Sequence, residues 1–154
     1  MAQRGKKICS APFNMKNYKR KFRKILTNLK KLSLDYYKHN LVALVVFGSV
    51  AKDRFSPASD IDLLIILENR EGNYEEFIKY FDNIESKLAK EGFLPEINPI
   101  FKGKDELKPE LIYLWDTDFM ILYEKGGFFS KFLENLQKFK KERLSYGKNF
   151  IEIL

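Results

Sequence analysis

The sequence predicts a single α/β domain with a mixed sheet of about four strands flanked by helices. Short apolar runs rich in β-branched residues alternate with longer stretches in which apolar residues recur every three or four positions. With 154 residues, of which 45% are apolar and 15% aromatic, the chain can bury one substantial core. No internal repeat or low-complexity linker divides it, so one domain is the simplest organisation.

The boundaries of the elements follow from these two periodicities. We expect a basic flexible arm over residues 1–17, the folded domain over 18–146 and a C-terminal tail over 147–154. The third strand contains Pro95 and Pro99, which confine it to an edge of the sheet or to a bulge. Strands are predicted over residues 42–47, 60–67, 93–101 and 119–123, and helices over 18–36, 74–90, the later part of 105–115 and 129–144.

Two short polar motifs are attached to the first two strands. Gly48-Ser49 ends the first strand, and Asp60 and Asp62 open the second after ten intervening residues. Gly48 permits a tight turn and Ser49 can cap a short helix over residues 50–54, whose N-terminus would attract an anion. Side chains two apart on a strand share a face, and two adjacent carboxylates need a cation. The sequence therefore predicts a phosphate-binding turn beside a site for Mg²⁺ or Mn²⁺ at Asp60 and Asp62.

The stretch GSVAKDRFSPASDIDLLI, residues 48–65, resembles the nucleotidyltransferase superfamily of DNA polymerase beta, whose signature is Gly-Ser followed by an Asp-x-Asp strand. The resemblance implies the polymerase beta-like fold, catalytic and metal-binding roles for Asp60 and Asp62, and a nucleoside triphosphate as substrate. Gly48 and Ser49 would then hold its outer phosphates. Two basic side chains on the same turn either add contacts to the phosphates or are plain surface charges, namely Lys52 and Arg54.

A looser resemblance extends over most of residues 18–146. The order of residues 99–100, 111–112, 121–123 and 127–129 looks like that of the minimal nucleotidyltransferases of archaea and bacteria. Many of these are encoded beside a HEPN-domain toxin, and characterised members act as antitoxins by adding AMP to a tyrosine of that partner. The resemblance implies transfer of AMP from ATP to a hydroxyl group that a HEPN-type partner presents.

The third carboxylate that active members of the superfamily place on a later strand is not evident. Glu96 and Asn98 share a face of the third predicted strand by alternation. If Glu96 reaches the pair, the site has three carboxylates. If Asn98 takes that position, the site lacks one charge and its general base, and the alternative is a degenerate module that binds nucleotide or RNA without turnover. Asp105 and Glu106 are weaker candidates.

Positive charge is concentrated at the N-terminus. Residues 1–34 hold eleven Lys and Arg and no acid, and they include one face of the first predicted helix. This face is either solvated or a site that attracts nucleic acid or an acidic partner. Its basic residues are Lys19, Arg23, Lys24, Lys30 and Lys31.

Composition excludes several classes of protein. The lone Cys9 excludes an internal disulfide and a cysteine-based zinc site. No apolar run is long enough to span a bilayer. Residues 1–4 open no hydrophobic signal region, so we expect a cytoplasmic protein.

Overall fold

The computed structural model describes residues 15–115 and 117–146. The arm predicted over residues 1–17 and the tail predicted over 147–154 lie outside this part, except that residues 15–17 begin the first helix. The predicted mixed sheet of four strands flanked by helices is confirmed. The strands are β1 (Leu41–Phe47), β2 (Ile61–Leu67), β3 (Ile97–Gly103) and β4 (Phe119–Glu124).

The sheet has the order β3-β2-β1-β4. β1 pairs antiparallel with β2 and β4, and β2 pairs parallel with β3. The register places Phe47 opposite both Asp62 and Phe119, and Ile61 opposite Ile97. The end of β1 and the beginnings of the other three strands therefore meet at one end of the sheet, which we call the Gly48 end. The opposite end, where β2 ends and Glu68 follows, is the Glu68 end.

Helices cover both faces of the sheet. One face packs against α1 (Met15–Tyr37) and α2 (Asn73–Tyr80), and α2 continues through a π-helical turn (Phe81–Glu85) into α3 (Ser86–Ala89). The other face packs against α4 (Phe128–Tyr146). No helix in the described residues is long and apolar enough to cross a membrane.

Alternation along β2 assigns its side chains to the two cores. Ile61, Leu63, Ile65 and Leu67 are buried with α1, whereas Leu64 and Ile66 are buried with α4. A strand segment covered on both faces is apolar at every position, which explains the unbroken apolar run over residues 63–67. Asp62 has the same parity as Leu64 and therefore lies on the α4 face.

Three predicted elements differ in the structure. Residues 50–54 form hydrogen-bonded turns instead of a helix, because Asp53 adopts a left-handed conformation with φ 59°. The helix predicted late in 105–115 is reduced to a 3₁₀ turn over Ile112–Leu114, preceded by another over Lys104–Glu106. β3 begins at Ile97 instead of residue 93, because its partner β2 begins at Ile61.

Candidate functional site

The turn after β1 is compact. Gly48 has φ +82°, and the backbone N–H of Lys52 donates to the carbonyls of Gly48 and Ser49 at 3.3 and 3.1 Å. The N–H of Arg54 also donates to the carbonyl of Ser49 at 3.3 Å. The capped helix predicted here is thus wrong, and the turn is held by these bonds and by the reversal at Asp53.

Gly48 lies directly against the carboxylate of Asp62. A Cβ atom added at Gly48 would lie 2.5 Å from Oδ2 of Asp62, closer than real Cβ contacts. The positive φ is also strained for any residue with a side chain. A side chain at this position would therefore strain the backbone and push the Asp62 carboxylate aside.

Asp60 and Asp62 meet at the side chain of Asn98. In the register of β2 and β3, Asp62 lies opposite Asn98. Nδ2 of Asn98 lies 3.4 Å from Oδ2 of Asp60 and 3.3 Å from Oδ1 of Asp62. Both distances are long for a hydrogen bond, so the contacts are weak. One amide thus contacts both carboxylates, and the structure brings together the two aspartates that the sequence singled out.

Glu96 does not join this pair. It is exposed and precedes β3, and its backbone carbonyl accepts the N–H of Ile61 at 2.8 Å. Its charge acts instead on Glu85, as one of the effects that raise the pKa of that carboxyl after burial itself. Of the two alternatives left open by alternation, the structure has the one with Asn98 against the aspartates. Alternation could not decide this, because Glu96 lies outside the strand.

Sequence reasoning missed Thr117. Oγ1 of Thr117 accepts the backbone N–H of Gly48 at 2.9 Å. The N–H that the sequence predicted to bind a phosphate is therefore engaged within the protein in this structure. The only signal was a polar residue shortly before an apolar strand. It had no meaning until β4 was known to pair with β1.

Three predicted phosphate-binding residues are exposed on the turn: Ser49, Lys52 and Arg54. Within the described residues, their side chains make no hydrogen bond or ion pair, and the N–H of Ser49 is also free of one. The turn whose Gly48 lies against Asp62 thus carries a hydroxyl, an N–H group and two cations that are not engaged within the described residues.

A family model for the nucleotidyltransferase domain matches residues 22–149. The chain belongs to this family. The predicted membership of the nucleotidyltransferase superfamily is thereby confirmed. No curated protein matches the chain.

Several solved toxin–antitoxin complexes contain chains similar to this nucleotidyltransferase domain. One with AMP-PNP has a chain 17% identical, with a TM-score of 0.49 and coverage of 79% of this chain and 94% of that one. A chain of an MntA-HepT complex is 16% identical, with a TM-score of 0.42 and coverage of 85% of this chain and 94% of that one. A complex of tri-AMPylated Shewanella oneidensis HEPN toxin with MNT antitoxin has a chain 14% identical, with a TM-score of 0.39 and coverage of 85% of this chain and 93% of that one. Likenesses at this level concern the course of the backbone alone.

Nucleotidyltransferases generally use divalent metals, and the residues of this domain fit one. No group of three or more His, Cys, Asp or Glu among the described residues could hold a metal ion. Mg²⁺, however, is usually bound by one or two carboxylates together with substrate phosphates. Asp60 and Asp62 supply two such carboxylates, and the Asn98 side chain faces them with its amide nitrogen.

The turn is also tied to α1. Nζ of Lys19 lies 3.5 Å from Oδ2 of Asp53 and 5.7 Å from the ring centroid of Phe55. The hydroxyl of Tyr18 donates to the carbonyl of Phe55 at 2.8 Å. Lys19 thus supports the loop that follows the turn after β1, while the other four basic residues named on this helix remain exposed.

Proposed function

We propose that this domain is a divalent-metal-dependent nucleotidyltransferase that moves AMP from ATP to a hydroxyl acceptor. The observation that carries the proposal is the convergence of Asp60 and Asp62 on one amide group beside the Gly48 turn. A cation such as Mg²⁺ or Mn²⁺, held by the two aspartates, would neutralise charge on the triphosphate and on the α-phosphoryl group.

Each residue of the turn has a distinct task in this proposal. Ser49 binds the outer phosphates through its hydroxyl and N–H group. Lys52 and Arg54 add charge-assisted contacts to the same phosphates. Gly48 leaves room for the Asp62 carboxylate, and Thr117 holds the Gly48 N–H so that the turn keeps its shape.

In the transfer itself, the acceptor oxygen forms a bond to the α-phosphorus. The bond from that phosphorus to the oxygen bridging to the β-phosphate breaks, and pyrophosphate leaves. The acceptor proton needs a base, and the amide of Asn98 cannot take it. The proton therefore passes to water or to a group of the acceptor protein, and we expect transfer to be slow.

For the acceptor, we propose a tyrosine hydroxyl of a HEPN-type partner. One support is the resemblance of residues 18–146 to the minimal nucleotidyltransferases. The other is that Asn98, which faces the aspartates, cannot act as the general base, so a partner that supplies one would complete the site. A partner that presents its own hydroxyl in line with the α-phosphorus would contribute by positioning, which is a large part of such catalysis.

The test is incubation with ATP labelled at the α-phosphate, Mg²⁺ and a co-encoded HEPN-type protein. We expect label on that protein, and a loss of about a hundredfold or more in Asp60→Ala. Asp105→Asn removes an exposed carboxylate beyond β3 and should leave transfer unchanged. Glu96→Gln should also have little effect. A large loss in Glu96→Gln with unchanged ATP affinity would instead make Glu96 the third carboxylate.

A second candidate function is a binding module without turnover. Asn98 in the position facing the aspartates favours it, because the site then has one charge less than three carboxylates would give. The exposed Arg23, Lys24, Lys30 and Lys31 of α1 would serve RNA binding. Binding of ATP with no transfer to any acceptor, together with RNA affinity that falls steeply with salt, would favour this function over the enzyme.

A further inference from the structure

The outer face of α2 and of the π-helical turn carries an unusual apolar stripe. Tyr74, Phe77, Ile78 and Phe81 are 74%, 40%, 39% and 43% exposed. Their spacing of three and four residues places them side by side on one helical face. The opposite face of the same helical segment already supplies the core through Tyr80 and Ile84. The segment is therefore apolar on two faces, and the described residues cover only one of them.

A groove adjoins this stripe. It has a volume of about 320 Å³ and lies between α2 and the outer strand β3. Proline at position 99 removes a backbone donor from this edge, so the edge is poorly suited to pairing with another strand. The lining residues are Asn73, Phe77, Pro99, Ile100, Phe101 and Lys102. A contiguous exposed apolar surface of this kind marks an interaction site.

The charges around the stripe limit what can cover it. Residues 71–85 contain five acids and one base, a net charge of −4. The base, Lys79, is already paired with Glu71 at 3.1 Å and with the buried Glu76 at 3.6 Å. Nucleic acid would be repelled by this surface. Two copies paired symmetrically through it would also bring like charges together, which is unfavourable.

We propose that the stripe and groove dock an amphipathic helix of a different protein, whose apolar face is flanked by Lys and Arg. The aromatic and branched side chains of the stripe would pack against the apolar face of that helix. The carboxylates of Glu75 and Asp82 would lie against its Lys and Arg side chains. This deepens the proposed function and rests on it in one respect. The groove includes Pro99, which follows Asn98 on β3, so a docked partner would lie on the same outer strand whose Asn98 amide contacts the aspartates.

The first test uses two synthetic helical peptides with the same leucine stripe, one flanked by Lys and Arg and the other by Glu. Binding to the full chain is measured by fluorescence anisotropy without nucleotide. We expect only the basic peptide to bind, and Phe77→Ser or Phe81→Ser to weaken it by about tenfold or more. Ile112→Ser removes an apolar side chain that is 55% exposed outside the stripe and should change nothing.

The second test changes charge alone, so it remains informative even if the aromatic variants misfold. The double variant Glu75→Lys, Asp82→Lys alters two exposed side chains and should transfer preference to the acidic peptide. Equal binding of both peptides, or of neither, overturns the inference. So does a concentration-dependent rise in mass that Phe77→Ser abolishes, because the occupant would then be a second copy. Peptide selection without any ATP binding would instead leave the docking surface intact and overturn the proposed function.

Discussion

The two ends of β2 compensate their carboxylates in different ways. At the Glu68 end, Glu68 lies between Nζ of Lys104 at 2.7 Å and Nζ of Lys125 at 3.2 Å. At the Gly48 end, Asp60 and Asp62 have no cationic partner among the described residues, and only the Asn98 amide contacts both. At the Glu68 end, the ammonium group of Lys104 and, to a smaller extent, that of Lys125 hold the pKa of Glu68 below its usual range.

A second carboxylate at the Glu68 end repeats the pattern. Glu106 accepts from Nη2 of Arg70 at 2.9 Å and from the N–H of Gly103 at 2.7 Å. The guanidinium first, and then the N–H group, lower the pKa of Glu106 to about 2. One end of the sheet thus contains closed ion pairs, while the other keeps negative charge available for a cation from outside the chain. The difference separates acids that are neutralised within the fold from a pair of acids that is not, and the proposed function uses the second kind.

The largest expected effect comes from closing the space at the Gly48 end. In Gly48→Ala the added Cβ would lie only 2.5 Å from Oδ2 of Asp62 and would therefore displace that carboxylate. We expect AMP transfer and Mg²⁺-dependent ATP binding to fall about a hundredfold, since a displacement of this size is costly in a catalytic site. Transfer of labelled AMP and calorimetric titration with ATP measure the two losses.

Gly127→Ala is the matched control. Gly127 also has a positive φ, +71°, but nothing lies within 4 Å of an added Cβ. Both variants should lose about 1–2 kcal/mol of unfolding free energy from the left-handed backbone. If Gly127→Ala lost transfer as severely, the effect at Gly48 would be one of stability and not of the carboxylate.

A third charge at the Gly48 end would sharpen the comparison. In Asn98→Asp, three carboxylates repel one another without a cation, so the melting temperature should fall in chelator and rise more with Mg²⁺ than in wild type. The added carboxylate also offers a base, so transfer should accelerate by about tenfold or more. Asn98→Ala removes the amide without adding charge. A melting temperature of Asn98→Asp that does not respond to Mg²⁺ would contradict a metal site at the aspartates.

A smaller effect is expected from Thr117→Val, which keeps the shape of the side chain but removes the acceptor of the Gly48 N–H. An unsatisfied donor costs about 1–3 kcal/mol. We expect a higher KM for ATP with a smaller change in kcat, because the turn and not the reacting groups is disturbed. Thr117→Ser restores the hydroxyl and should recover most of the affinity. An unchanged KM in Thr117→Val would show that the turn keeps its shape without this bond.

The smallest effect is expected at the Glu68 end. The carboxyl of Glu106 has its pKa lowered from 4.5 to about 2, so its stabilisation is fully present above pH 4.5 and is lost as the pH falls towards 2. Thermal denaturation should show Glu106→Gln less stable than wild type at neutral pH, with the difference shrinking over this acid range. ATP binding should be unaffected. A constant difference across the range would mean that the ion pair with Arg70 adds nothing.

Much of this fold could be predicted from local pattern. The runs at β1, β2 and β4 and the stripe of α1 lie within a residue or a few residues of their predicted bounds, because burial on a strand or helix has a fixed period. The helix predicted over 74–90 exists but is interrupted by the π-helical turn Phe81–Glu85, which no local pattern announced. The segment 105–115 was predicted less well, because Pro109 and an extended Leu107 separate two short turns.

By itself, the sequence determined the family and the placement of Asp60 and Asp62 on one face of a strand. Gly-Ser, a fixed interval and Asp-x-Asp are local features, and side chains two apart on a strand share a face whatever surrounds them. Only the tertiary structure decided that Asn98 and not Glu96 contacts those aspartates, because this depends on where β3 begins relative to β2. Pairing of β1 with β4 likewise brought Thr117 to Gly48 across 69 residues, a distance over which local periodicity carries no information.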